Sequence, residues 1–241
     1  MEPSSAAELR RWLTSTAYGG LIYPSVSLSQ AKFGLSAIAQ DAIDADTTIV
    51  SCPCLLAIDV ECSLHALTAL FGELTLVDLQ SWSERQLICT DLCLHCIFPD
   101  SSQIPDALRY LRNTCRTFIH AVNPDWAERY TWDKYSRAST CLSTRAFPST
   151  LLSRSPTLQT TSSSYPFILP RVDILNHSRG QPVSWCTSYP EGITKERDES
   201  TTISIISHAT TPLGEDVFNN YGLNERRADP RIWFFAATKL G

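Results

Sequence analysis

The sequence predicts an α+β fold: a β-rich set of short strands split by a helical insertion. Three observations predict it. Short apolar runs punctuated by Gly and Pro occupy residues 21 to 58. Between 61 and 138 the apolar residues change to spacings of three and four. Strand-like runs then return at Val183-Ser184-Trp185-Cys186 and Ile203-Ser204-Ile205-Ile206. With 241 residues, 43% of them hydrophobic, the chain can bury one sizeable core or two small ones.

Taken in order, Ser5-Ala6-Ala7-Glu8 reads as a capping box opening a short helix, with Leu9, Trp12 and Leu13 on one face and Gly19-Gly20 at its end. Leu21-Ile22-Tyr23-Pro24 with Val26, then residues 32 to 39 around Gly34, then Thr47-Thr48-Ile49-Val50-Ser51-Cys52-Pro53 with Leu55 to Ile58, read as strands separated by turns. The first part of the β fold therefore spans 1–60. The insertion, 61–138, carries Leu64, Leu67 and Phe71, then Leu79, Trp82, Ile88, Cys89 and Leu92, then Leu108, Leu111, Cys115, Phe118 and Ile119, with breaks at Pro99, Pro105 and Pro124. Its aromatic stripes belong to a core first and to a partner surface second. The second part of the β fold spans 139–224. Within it, residues 149 to 164 hold too little apolar content to order themselves and read as a mobile loop. Residues 194 to 200 read as a solvated charged loop.

A net charge of −5 leaves no global basic surface of the kind that non-specific nucleic-acid binding needs. No direct nucleic-acid partner is expected. No apolar run reaches membrane-spanning length and Met1-Glu2-Pro3-Ser4-Ser5 does not begin a signal peptide; the expected setting is a reducing cytoplasm or nucleus, with no membrane partner. Nine cysteines, an odd number, do not all pair. Cys52-Pro53-Cys54 and the group Cys89, Cys93, His95 and Cys96 resemble zinc ligands superficially. The latter group lies on a helix-periodic segment where Cys is a common small core residue, and no second ligand pair follows at a zinc-finger spacing. The expectation is a structural role and no metal.

The chemistry concentrates in residues 173 to 222, which open with Asp173-Ile174-Leu175-Asn176-His177 and close with Gly214-Glu215-Asp216-Val217-Phe218-Asn219-Asn220-Tyr221-Gly222. An Asn-His pair and an Asn-Asn-Tyr-Gly turn, each at the edge of a short β element, bring amide, imidazole and phenol groups to chain ends. Read alone, the first is also compatible with a turn favoured by Asn and the second with a buried phenol holding one partner.

The two motifs together resemble the SET-domain protein-lysine methyltransferases, whose Asp-x-x-Asn-His and Gly-Glu-x-x-x-x-x-Tyr-Gly segments form the methyl-transfer site. The helical insertion narrows the likeness to the subfamily similar to Rubisco large-subunit methyltransferase, which acts on non-histone proteins. The resemblance implies an S-adenosylmethionine-dependent lysine N-methyltransferase with a protein substrate. It implies Tyr221 as the catalytic tyrosine, Asn176 and His177 as cofactor holders, and Asp173 as a substrate-positioning residue. Tyr135 to Phe147 resembles the subfamily's helix ending in Ser-Arg-Ala-Phe, with Arg137 in place of its Trp and Thr144 in place of its Ser. That implies a place for Arg145 beside the cofactor carboxylate and the lysine channel, which a planar guanidinium suits; as an isolated residue Arg145 would also serve as a surface or capping group. Lys32-Phe33-Gly34-Leu35 resembles the family's Gly-x-Gly-Leu cofactor turn with its first glycine replaced. The resemblance puts Phe33, Gly34 and Leu35 at the cofactor, while a β-bulge glycine with no ligand remains the other reading.

After Asn224 the resemblance stops. The subfamily continues with Ala-Glu-Leu-x-Leu-x-Tyr-Gly-Phe, whereas residues 225–241 form an atypical tail. If Arg227 to Phe234 were encoded CGA-GCT-GAT-CCT-CGG-ATA-TGG-TTT, reading one nucleotide later would give Glu-Leu-Ile-Leu-Gly-Tyr-Gly. The expectation is an out-of-frame tail, which leaves a second function open: a truncated, non-catalytic SET-like remnant that only binds partners.

Overall fold

The computed structural model describes residues 7, 10–11, 14, 19–31, 34–72, 76–95, 107–153, 155–170, 172–189 and 201–221. Ser5, Ala6 and Glu8 of the N-terminal capping box, Phe33, Cys96, the breaks at Pro99 and Pro105, the charged loop 194–200, Gly222 and the tail 225–241 lie outside the described residues. The fold is mixed α+β, with helices and antiparallel sheets of short strands. The chain divides into two units: one takes residues up to Ala57, Phe147–Ser164 and the chain from Leu169, and the other takes Ile58–Ala146 with Tyr165–Ile168.

The first unit is built on strands. β1 (Leu21–Ile22), β4 (Thr47–Pro53), β8 (Thr202–Ser207) and β7 (Val183–Ser188) form an antiparallel sheet in that spatial order. β2 (Val26–Ala31) and β3 (Gly34–Ala39) form a separate antiparallel pair, with Leu28 opposite Ala37. β8 alternates as a half-buried strand should: Ile203, Ile205 and Ser207 are buried while the residues between are half-buried. β4 breaks that alternation because its register to β8 shifts between Thr48 and Val50. The shift lets the adjacent residues Ile49 and Val50 both turn inward, the result of one extra residue in one strand of a pair.

Beyond Phe147–Pro148, the two-residue β5, the chain makes a 3-10 turn over Ser149–Leu152. The sequence predicts a mobile loop over 149 to 164; residues 155 to 164 are irregular chain, and the structure departs from that reading at Ser149–Leu152 for a physical reason. Leu151 and Leu152 are buried, and strand β7 with the residue that follows it clamps their carbonyls, Thr187 Oγ1 donating to Leu151 O at 3.1 Å and Tyr189 Oη to Leu152 O at 2.8 Å. The Thr150 hydroxyl bonds the Thr157 and Gln159 carbonyls at 2.8 and 3.0 Å. Order comes from hydroxyl-to-backbone bonds, which an apolar count does not register.

The second unit is helical: α1 (Val60–Phe71), α2 (Leu76–Gln80), α3 (Glu84–His95), α4 (Ala107–Val122), α5 (Pro124–Arg129) and α6 (Trp132–Arg145), followed later in the chain by the short strand β6 (Pro166–Phe167). The Asp59 carboxylate caps α1 by accepting the Cys62 N–H at 2.9 Å. Gly72 ends that helix at φ +99°, a conformation a side chain would strain. Pro124 sits at the first position of α5 behind an Asn123 cap, where its missing N–H is harmless. Leu67, Ile88, Ile119, Tyr135 and Ala138 fill the core, and Phe71 meets Phe118 edge-on at 5.8 Å. Cys89 and Cys93 are buried in the same core. Burial pushes the Cys89 thiol up to about 12, so it stays protonated at neutral pH and packs as a small apolar side chain.

Candidate functional site

The site is assembled from three pieces of the strand-built unit. The first is strand β3. Gly34 and Leu35 open it, opposite Ala31 and Gln30 of β2, and its last residues receive the second motif. The Gly214 N–H donates to Ala39 O at 2.8 Å, the Ala39 N–H to Glu215 O at 3.0 Å, and the Val217 N–H to Ala37 O at 2.8 Å. Gly214 turns the chain into this pairing at φ +82°, in the left-handed region open to glycine.

Farther along, the second motif meets the first. Asn219 N–H donates to Asn176 O at 2.8 Å and Ser178 N–H to Asn219 O at 2.9 Å, a parallel bridge that sets His177 beside Asn219. The sequence predicts a turn at Asn-Asn-Tyr-Gly. Its last residue, Gly222, lies outside the described residues; within the described part the Asn219 backbone is taken up by that bridge, and the Asn220 N–H donates to Asn219 Oδ1 at 2.7 Å. One side-chain bond links the third pair of pieces: Asn176 Nδ2 donates to the Ser36 hydroxyl at 3.1 Å. The two motifs and the strand that begins with Gly34 are thus mutually hydrogen-bonded.

Tyr221 is buried at the junction, with 6% of its surface exposed. Its hydroxyl donates to Leu175 O at 2.6 Å and its backbone N–H to His177 Nδ1 at 3.1 Å. That bond requires Nδ1 to be an acceptor, which assigns the neutral imidazole's proton to Nε2. The His177 ring stacks on the phenol with centroids 5.2 Å apart and planes 16° from parallel, and Phe147 meets the phenol edge-on at 5.4 Å. Trp185 packs against Phe147 at 4.8 Å and donates its indole N–H to Asn220 O at 3.3 Å. The phenol is therefore positioned by its hydroxyl bond, by the bond on its own backbone N–H and by contact with the His177 and Phe147 rings, and a hydroxyl whose proton is committed to a carbonyl presents lone pairs to any group that approaches it.

Of the remaining sequence-predicted residues, Asp173 is half-buried on the same segment as Asn176, its N–H donated to Leu169 O at 3.1 Å. Arg145 is the half-buried last residue of α6, in the helical unit. Sequence reasoning missed Ser36, Phe147 and Asn219. Ser36 directly follows Leu35, Phe147 closes the Arg145-Ala146-Phe147 run, and Asn219 lies within the second motif, so each was in view without a signal of its role.

A second polar cluster ties the ends of three strands. His208 Nδ1 lies 2.6 Å from Asp46 Oδ1 and Nε2 lies 2.7 Å from Ser184 Oγ. The order Ser, His, Asp is that of a nucleophile relay. The Asp46 side chain, however, is 80% exposed and that of His208 39%, so water competes for the bonds and the cluster acts as a clasp joining the ends of β4, β7 and β8.

No family model matches the chain. In sequence it is similar to Ribosomal lysine N-methyltransferase set10 of Schizosaccharomyces pombe, with 26% identity over 219 residues, 77% of this chain and 37% of that protein. In structure it is similar to the SET domain of LSMT bound to lysine and AdoHcy, with TM-score 0.61, 18% identity, and coverage of 92% of this chain and 55% of that one. Rubisco LSMT bound to AdoMet gives TM-score 0.59 at 17% identity, covering 93% of this chain and 54% of that one. The chain spans little more than a third of the curated relative and about half of these solved chains. It has the SET-domain fold and resembles the SET-domain lysine methyltransferases of the Rubisco LSMT kind.

Proposed function

We propose that this chain binds S-adenosylmethionine and transfers its methyl group to the side-chain amine of a lysine in a non-histone protein. The observation that carries the reading is the junction at Tyr221, where the Asn-His segment, the Gly-Glu to Tyr segment and the strand begun by Gly34 are joined by hydrogen bonds around one phenol. The sequence similarity to a ribosomal lysine methyltransferase points to a ribosomal protein as the substrate class.

Methyl transfer is an in-line displacement, so the protein's task is alignment and keeping the amine uncharged. Bound S-adenosylmethionine supplies an electrophilic methyl on a sulfonium. The residues fit such a ligand: Asn176 and His177 offer amide and imidazole groups, and the side-chain NH2 of Asn219 is buried beside them with no hydrogen-bond partner among the described residues, a donor that suits an acceptor on a polar ligand. In this reading Asn176 and His177 hold the cofactor together with Phe33, Gly34 and Leu35, and Asp173 positions the substrate. Tyr221 is the catalytic residue. Its oxygen, oriented by the bond to Leu175 O, accepts an N–H of the lysine amine and aims the nitrogen lone pair. Desolvation of the amine on binding favours its neutral form.

Thermal unfolding with and without S-adenosylmethionine tests the reading. A ligand at a hundred times its dissociation constant stabilises the chain by about 2.7 kcal/mol, a clear rise in midpoint; an unchanged midpoint at millimolar cofactor would contradict the proposal.

A further inference from the structure

The site contains a buried donor with nothing to donate to among the described residues. Asn219 is fully buried at 0% exposure, and among the described residues its Nδ2 has no hydrogen-bond partner. The amide's orientation is fixed by its other atom: Asn219 Oδ1 accepts the Asn220 N–H at 2.7 Å. Exchanging O and N would set two donors against each other, so the unpartnered group is the NH2. Its backbone is fully engaged with the Asn-His segment, through Asn176 O and the Ser178 N–H, so the residue has little room to turn the amide elsewhere.

An unpaired buried amide is a standing penalty that an apolar side chain of similar volume would remove. Its position says what it awaits. Val217, Asn219 and Tyr221 are buried, at 2%, 0% and 6% exposure, while Phe218 and Asn220 between them are only half-buried. In extended chain this places the Asn219 side chain on the face that carries the Tyr221 phenol. A side-chain NH2 only donates, and so does a lysine ammonium, which excludes the charged substrate amine as its partner. The neutral amine's single lone pair is the reacting one. Acceptors are supplied instead by S-adenosylmethionine, through its carboxylate, its ribose oxygens or its adenine ring nitrogens.

We infer that Asn219 is a cofactor-positioning residue whose Nδ2–H donates to an acceptor of bound S-adenosylmethionine, a bond made only in the loaded protein. The inference rests on the methyl-transfer reading above and adds a residue that the site motifs do not single out. It predicts a trade between stability and binding: Asn219→Leu removes the unpaired donor and Asn219→Asp replaces it by an acceptor while keeping the volume.

The experiment is calorimetric titration of the wild type, Asn219→Leu and Asn219→Asp with S-adenosylmethionine and with 5′-methylthioadenosine, which keeps adenine and ribose and lacks the amino-acid end. Cofactor-free thermal midpoints are measured alongside. The expected result is an affinity for S-adenosylmethionine at least about tenfold weaker in both variants, with the cofactor-free midpoint of Asn219→Leu equal to or above that of the wild type. Weakening with both ligands assigns the bond to the nucleoside, and weakening with S-adenosylmethionine alone assigns it to the carboxylate. Wild-type affinity in either folded variant overturns the role of Asn219 and leaves the methyl-transfer reading standing. If Asn219→Leu does not fold, Asn219→Asp decides. No binding by the wild type overturns the methyl-transfer reading itself, and this inference with it.

Discussion

Tyr221 makes two separable demands, and single substitutions separate them. Tyr221→Phe keeps the stacking on His177 and the edge contact with Phe147 and deletes only the hydroxyl bonded to Leu175 O. The loss of one such bond costs about 1 kcal/mol of stability, whereas loss of an oriented polar group at the reacting atoms costs about a hundredfold or more in rate. Methyl-transfer kinetics beside a urea titration should show a collapsed rate in a nearly wild-type fold; a full rate would remove Tyr221 from the chemistry. His177→Phe makes the opposite cut. It retains a stacked ring but deprives the Tyr221 N–H of the Nδ1 acceptor, and an orphaned N–H costs about 1–3 kcal/mol. The urea midpoint should fall accordingly, and an unchanged midpoint would mean that the bond is replaced by water.

Among the elements, the helices depend on caps and burial that can be probed one at a time. The carboxylate of Asp59, buried at 1% exposure, caps α1, so Asp59→Ala should lower stability by about 1–2 kcal/mol. The clasp at the end of the sheet is worth less: His208→Ala breaks two exposed bonds and should cost no more than about 1 kcal/mol, read as a small midpoint shift. These elements also show what a sequence can reveal. The alternation of Ile203 and Ile205 and the three-and-four spacing of Leu67 and Phe71 made strand β8 and helix α1 legible, because burial imposes those periods. The bulge in β4 was not legible, since Ile49 and Val50 read equally well as part of a continuous apolar run. Order at 149–152 was hidden because hydroxyl-to-carbonyl bonds hold it. In the site, Asn176, His177 and Tyr221 were legible as a pattern of residue types. The unpaired amide of Asn219 was not, because burial and the lack of an acceptor such as the Gln181 carbonyl that Asn220 finds, which only the fold decides, distinguish the two neighbouring asparagines.

For the whole molecule, buried thiols link the helical core to pH. Burial raises Cys89 from its ordinary 9.0 to about 12 and raises Cys115 as well, so the folded chain favours the protonated thiols. The unfolded chain loses those protons once pH passes 9. Their contribution to stability is therefore intact below about pH 9 and is lost as pH rises from there towards about 12. Chemical denaturation at successive pH values should show that decline, and thiol labelling of the native chain at pH 8 should reach the exposed Cys62 and Cys186 and spare Cys89. The strand-built unit carries the proposed chemistry, and one assay addresses it without reference to any variant. Purified chain, labelled S-adenosylmethionine and a ribosomal protein fraction are incubated together, and the products are mapped by mass spectrometry. The account predicts label on lysine side chains that depends on the chain and on the cofactor. Binding of S-adenosylmethionine with no methyl on any lysine would contradict it.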